Sequence, residues 1–235
     1  MNTVSVIIST FGPDRAFWDK LAIRAVASVV NQTIRPTELQ RVHVPEPNSL
    51  HVARNRGAMQ SLSDWLIFLD ADDCLHPEYI EAMLAGEGDV RIPNVQRFFA
   101  DGTHEEPRRI EEQGDMLQGS HLLIGSMVRR DLFIKVGGFE DLPIWEDWHF
   151  WCKCWVNDAV MRRCPKAIYQ AHIREGRRSD LGSSAALELS IATVRRIRDE
   201  FTPIARAKGL LAEQKNAAEI KRRFGISREE ATVNP

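Results

Sequence analysis

The chain has 235 residues, 43% of them hydrophobic and 27% charged, with 31 Lys and Arg against 33 Asp and Glu for a formal charge of −2. At about 150 residues per domain this is one large domain, with or without an appendage, and the balance excludes collagen-like, low-complexity and wholly disordered chains. A charge so near zero also excludes a global field drawing the molecule onto nucleic acid or an anionic membrane, so any such partner needs a local patch.

Met1-Asn2-Thr3-Val4 lacks the basic and apolar segments of an export signal, and no apolar run approaches the about 20 residues of a membrane span. A cytoplasmic location is expected. Cys74, Cys152, Cys154 and Cys164 lack paired zinc spacing and are expected to be reduced packing thiols.

Val4-Ser5-Val6-Ile7-Ile8 is a β-branched run stopped by Thr10-Phe11-Gly12-Pro13, as a buried parallel strand would be. Apolar residues from Phe17 to Val29 then recur at spacings of three and four, which predicts a helix over Asp14 to Val30. Leu39 to Val44 is a second strand, and Ser49 can cap a helix running to about Gln60. Asp64 to Leu69 is the third strand, delivering Asp70-Ala71-Asp72-Asp73, and Pro77 to Leu84 a third helix. Strands alternating with helices imply a parallel sheet whose ligands bind beyond the carboxyl ends of the strands.

From Asp89 to Gly119 the sequence is irregular, and its strand candidates, Val90 to Ile92 and Val95 to Phe99, are expected at the far sheet edge. A strand from Leu122 to Val128, a helix from Arg130 to Val136, a Gly137-Gly138-Phe139 turn, a helix from Trp148 to Val156 and a strand from Ala167 to Ala171 follow. Beyond Ser183 the composition favours a long helix to about Lys208 and another from Leu211 to Phe224.

Asp70-x-Asp72 carries the clearest chemistry. In an extended segment alternate side chains point the same way, so both carboxylates can meet one ligand, and oxygen ligands suit Mg²⁺ or Mn²⁺ held against substrate phosphates. A polar loop with Asp73 capping the next helix is the plainer alternative.

In context, the sequence resembles the inverting family 2 glycosyltransferases of the GT-A fold. Ala53-Arg54-Asn55-Arg56-Gly57 precedes Asp70-Ala71-Asp72-Asp73 and Pro77 follows it; Asn31-Gln32-Thr33 with Pro36 is similar to the family's opening, Val136-Gly137-Gly138-Phe139 and Glu146-Asp147 to its Gly-Gly-Phe turn and Glu-Asp motif, and His172 to its late histidine. The resemblance spans residues 4 to about 180. It implies a GT-A-like, mostly parallel sheet flanked by helices over 1–180, with 181–235 a helical C-terminal extension.

The implied activity is metal-dependent, inverting transfer of a sugar from a nucleotide-diphosphate donor to an acceptor hydroxyl. By resemblance, Thr10, Phe11, Arg54 and Asp70 would bind the donor, Asp72 and His172 the divalent metal, Mn²⁺ or Mg²⁺, and Asp147 would be the general base, with Trp145 and Glu146 beside the acceptor. Flanking by Trp145 and Trp148 would desolvate Asp147 and favour basicity. Each role has a plainer counterpart: Arg54 as a surface helix charge, Glu146-Asp147 as a complement to a helix N-terminus, His172 as a structural histidine.

One departure bears on the donor. Where the family usually carries Val-Asp-Asp-Gly-Ser after the second strand, this chain has Val42-His43-Val44-Pro45-Glu46-Pro47-Asn48. Glu46 is the carboxylate at hand, and a UDP- or GDP-sugar both remain open. The acceptor is not readable.

Haloacid-dehalogenase phosphatases place Asp-x-Asp on their first strand, and sugar nucleotidylyltransferases need a glycine-rich basic loop after theirs, so neither fits. Two alternatives stay open: a catalytically inactive GT-A-like binding domain, and a nucleic-acid-binding protein using Arg195, Arg196, Arg198 and Lys221-Arg222-Arg223. Leu187, Ile191, Val194 and Ile197 make a helical apolar face expected to pair with a second copy or to pack on its own domain.

Overall fold

In the computed structural model, residues 2–107, 116–118, 122–174 and 183–211 are described. Within them seven strands form one sheet in the order β2-β1-β3-β6-β5-β7-β4. The strands are β1 (Val4–Phe11), β2 (Glu38–Val44), β3 (Trp65–Asp70), β4 (Cys74–Leu75), β5 (Val90–Phe98), β6 (Met127–Arg129) and β7 (Met161–His172). The helices are α1 (Arg15–Val30), α2 (Leu50–Gln60), α3 (Tyr79–Leu84), α4 (Arg130–Lys135), α5 (Glu146–Val156) and α6 (Ser184–Ala207).

β1 runs parallel to both β2 and β3, and β5 parallel to β7, while β6 is antiparallel to β3 and β5. The carboxyl ends of β1, β3, β5 and β7 therefore emerge on one side, as the alternating pattern requires. β1 and β3 are buried on both faces, with Ile7, Leu66 and Ile67 at 0% exposure, which is why Val6 to Ile8 and Trp65 to Leu69 read as unbroken apolar stretches.

Several expectations need correction. β5 is not at the sheet edge: β6, from a later part of the chain, inserts between β3 and β5. β7 is longer than its apolar core suggests, because Pro165 lies at an irregularity where Pro93 pairs Cys164 and the next residue, Asn94, pairs Ile168. Proline is tolerated at such a bulge, and it hides the strand from a propensity reading. The strand expected over Leu122 to Val128 shrinks to Met127–Arg129, since a turn closes from Ser126 N–H to the Leu123 carbonyl. A Cβ on Gly125 would lie 2.2 Å from the Tyr169 ring.

The amphipathic face of the long helix divides. Ile197, Phe201 and Ala205 are buried against the domain, while Leu187 and Ile191 are exposed. Arg198 is not a free basic patch residue: its Nε donates to the Leu117 carbonyl at 2.9 Å. The helix expected over Leu211 to Phe224 and the Lys221-Arg222-Arg223 cluster fall, apart from Leu211, outside the described residues. Among the described residues no helix is long and apolar enough to cross a membrane.

Candidate active site

A cavity of about 560 Å³ opens at the carboxyl ends of the strands, lined by Phe11, Arg54, Asp70, Asp72, Trp145, Glu146, Asp147, His172 and Arg174 among others. That volume suits a small-molecule site. Three sequence segments far apart in the chain are brought together there by buried contacts.

The Ala53 to Gly57 segment of α2 divides its work residue by residue. Gly57 lets α2 approach β1, since a Cβ there would sit 2.5 Å from a methyl of Ile7. Asn55 holds the Gly-Gly-Phe turn from both sides: its Nδ2 donates to the Phe139 carbonyl at 2.8 Å, and Phe139 N–H donates to its Oδ1 at 2.9 Å. Gly138 has φ +64°, and a Cβ there would come within 2.6 Å of the Asn55 oxygen, so only glycine fits without strain.

Arg54 turns the other way. Its side chain is 3% exposed, with Nη2 donating to Asp70 Oδ1 at 2.8 Å and Nη1 donating to Glu146 Oε1 at 2.6 Å. Burial alone would pull the guanidinium down, but Asp70, Glu146 and Asp147 outweigh it and hold the group above its ordinary value. Arg54 is thus a buried cross-link between the end of β3 and the start of α5, not a surface helix charge. In the same way Gln32 is structural: its amide donates to the His76 carbonyl and accepts from Ile80 N–H, joining the end of α1 to the start of α3.

The three aspartates after β3 each have a different partner. Asp70 meets Arg54, and desolvation, reinforced by Asp72 and Glu146 against the pull of Arg54, raises its carboxyl. Asp73 accepts from the Tyr169 hydroxyl at 2.8 Å and from His172 N–H at 2.7 Å; burial, with Asp70 and Asp72 adding repulsion, pushes it well above the usual carboxylate range. Asp72 Oδ2 accepts from Arg174 Nε at 2.8 Å. Sequence reading missed Asp73, Tyr169 and Arg174 as site residues. Only Asp73's place within Asp70 to Asp73 carried a signal.

α5 begins at Glu146, behind Trp145 in the left-handed region at φ 63°. A non-glycine residue there stores strain of about 1–3 kcal/mol. The Trp145 indole is held by its Nε1–H donating to Ser190 Oγ of α6 at 2.9 Å, so the C-terminal helix supports the site wall. Asp147 Oδ1 accepts from Trp148 N–H at 2.8 Å, which fixes the carboxylate at the first turn. The two tryptophans do not enclose Asp147 as expected. Trp148 is 2% exposed and turns into the core, donating to the Met116 carbonyl at 2.6 Å, and Trp145 alone of the pair lines the cavity.

The remaining expected donor residues separate. Phe11 lines the cavity and tilts against Trp18 with ring centroids 5.6 Å apart. Thr10 is nearly buried, its hydroxyl 3.0 Å from His43 Nδ1, and neither it nor the exposed Glu46 is among the cavity's lining residues.

For a divalent cation, no three His, Cys, Asp or Glu side chains among the described residues group into a ready-made cage. A cation arriving with phosphates needs fewer protein ligands, one or two carboxylates, and Asp70 and Asp72 supply that oxygen chemistry. His172 lines the same wall, stacked on Phe98 at 5.1 Å, with Nδ1 buried and without a hydrogen-bond partner among the described residues. The residues present therefore fit such a group.

The strand order, the cavity beyond β1, β3 and β7, and the aspartates after β3 define the class: a GT-A-like glycosyltransferase fold. The comparisons agree. Residues 32–139 match the model of the family described as Glycosyl transferase family 2. Over 119 residues the chain is 31% identical to an uncharacterized glycosyltransferase of Haemophilus influenzae, covering 43% of this chain and 39% of that relative. Structures of residues 1–349 of TarS from S. aureus, one in complex with UDP and one with UDP-GlcNAc, superpose with TM-scores of 0.63 and 0.62. They are 18% and 20% identical, and each match covers 99% of this chain and 75% or 76% of the other. The resemblance to family 2 glycosyltransferases therefore holds, and the chain spans about two fifths of the length of its Haemophilus influenzae relative.

Proposed function

We propose that the protein is an inverting glycosyltransferase that uses a nucleotide-diphosphate sugar and a divalent cation, Mn²⁺ or Mg²⁺. One observation carries this reading: Asp147 and the Asp70-Asp72 pair, 75 residues apart at their closest in sequence, line one cavity, with Arg54 joining Asp70 to Glu146, the residue before Asp147. The binding of UDP and of UDP-GlcNAc by TarS supports a nucleotide-sugar donor for the same fold.

Asp72, with Asp70 beside it and His172 on the same wall, would hold the cation. When bound, the cation supplies positive charge against the diphosphate leaving group. Asp147 takes the proton from the acceptor hydroxyl as that oxygen attacks the anomeric carbon from the face opposite the nucleotide. The new bond forms to the acceptor oxygen, the bond from the anomeric carbon to the phosphate oxygen breaks, and the electron pair leaves on the nucleoside diphosphate. Configuration therefore inverts. Trp148 N–H, bonded to Asp147 Oδ1, keeps the carboxylate aimed during the transfer.

Titration of the full chain with a panel of UDP- and GDP-sugars, with and without Mn²⁺, tests the reading. One donor should bind tightly and only with the metal. Equal affinity with and without Mn²⁺ would remove the metal from the function, and no binding across the panel would remove the donor.

A further inference from the structure

Of the three neighbouring aspartates, two are satisfied by the framework. Arg54 on Asp70 is 3% exposed, and Tyr169 on Asp73 is 1% exposed. Arg174 on Asp72 is different. It lies two residues beyond β7, on backbone pinned by Ile173 N–H donating to the Phe98 carbonyl at 2.7 Å, and its side chain keeps 35% of its surface exposed along the cavity wall. Its cationic head occupies an oxygen of the carboxylate that a divalent cation would need.

We propose that Arg174 is a resident counter-ion of Asp72 that passes to the donor's diphosphate when the donor enters, so that cation and donor load together. The proposal rests on reading the cavity as a nucleotide-sugar site. Two cations on one carboxylate repel each other, so a guanidinium on Asp72 disfavours a metal ion alone. A diphosphate changes the balance in both directions. It offers the planar guanidinium fork several oxygens in place of the one it now engages, and it brings negative charge that a cation on Asp72 can bridge. Arg174 then has a better partner, and Asp72 is released. The pinned backbone lets the head swing without moving β7.

The test is calorimetric titration of the full chain with Mn²⁺ alone, with UDP alone and with UDP in the presence of Mn²⁺, for wild type, Arg174→Gln and Arg174→Lys. A charge-assisted hydrogen bond is worth about tenfold in affinity, so Arg174→Gln should bind Mn²⁺ alone about tenfold more tightly and UDP about tenfold more weakly. Arg174→Lys keeps the charge without the fork and should fall between for UDP. Arg174 is partly exposed, and an unchanged thermal midpoint establishes that the variants are folded. The proposal is overturned if Arg174→Gln binds UDP as tightly as wild type. It is also overturned if UDP binding needs Mn²⁺ yet the variant binds Mn²⁺ alone no better than wild type. If Mn²⁺ affects UDP binding in neither protein but Arg174→Gln still loses about tenfold, the transfer of Arg174 stands and the metal reading falls.

Discussion

At the floor of the cavity Arg54 is 3% exposed and shared between Asp70 and Glu146, whereas at the rim Arg174 keeps 35% of its side-chain surface in solvent while touching Asp72. Both are arginines on carboxylates at 2.6–2.8 Å, yet they do different work. A buried arginine between Asp70 and the 1%-exposed Glu146 cannot leave without stranding Glu146, so the floor fixes where α5 begins relative to β3. A partly hydrated pair exchanges partners at little cost, so the rim can respond to a ligand. The difference teaches that residue type and distance do not by themselves distinguish framework from binding group; burial does.

The sharpest way to break this comparison is at Asp147, which stands on the floor's frame but is expected to act on substrate. Asp147→Asn keeps the size and the oxygen that accepts from Trp148 N–H, and removes the proton-accepting charge. We expect kcat to fall by about 10²–10⁴-fold with UDP affinity nearly unchanged. A single-turnover rate close to wild type would remove Asp147 from the mechanism.

Arg54 tests the floor itself. Arg54→Met strands Glu146, 1% exposed, while Asp70, 36% exposed, keeps access to water; breaking a buried pair by removing one partner costs about 3–5 kcal/mol. Urea unfolding should show that loss. A variant of unchanged stability but weakened UDP binding would instead make Arg54 a donor contact, and the contrast with Arg174 would collapse.

Gly138→Ala probes the cross-brace beside the floor at smaller cost. The positive φ and the 2.6 Å approach to Asn55 Oδ1 should together cost about 1–3 kcal/mol. If Asn55→Ala were combined with it, the steric part should vanish and the backbone part remain. Additive losses would show that Asn55 and the Gly-Gly-Phe turn are not one unit.

These particular residues also show what a sequence makes legible. Val4 to Thr10 and Asp64 to Leu69 declare themselves because double-sided burial leaves the apolar stretches Val6 to Ile8 and Trp65 to Leu69 at their centres. The Asn55 and Gly138 motifs are visible as patterns, but their mutual contact is not, because 83 residues separate them. Arg54 was legible as a site residue and illegible in its role, since nothing local shows an arginine to be buried. Arg174 and Ser190 had no local signal at all. Their partners, Asp72 and Trp145, are set by the long-range path of β7 and α6. β5's place inside the sheet was hidden for the same reason: β6 reaches it from a distant part of the chain.

The smallest expected effect lies where α6 meets α5, at His149, which is 1% exposed and 3.0 Å from Glu200 through Nε2. Burial disfavours the imidazolium more than Glu200 favours it, with Lys153 opposing the proton and Glu140 supporting it, so the group titrates below its ordinary value. The unfolded chain therefore binds this proton more readily than the folded one. The stability contributed by neutral His149 is present above the ordinary histidine pKa of about 6.5 and is lost as pH falls below it. Asp70 and Asp73, whose carboxyls are raised, change stability in the opposite sense as pH falls, so the wild-type curve alone does not isolate the histidine. His149→Gln removes the ionisable group while leaving the aspartates in place. The loss of thermal midpoint between pH 7.5 and pH 5.5 should be larger in wild type than in His149→Gln. Equal losses would mean that the α5–α6 contact, and with it the support of Trp145 through Ser190, does not depend on a neutral His149.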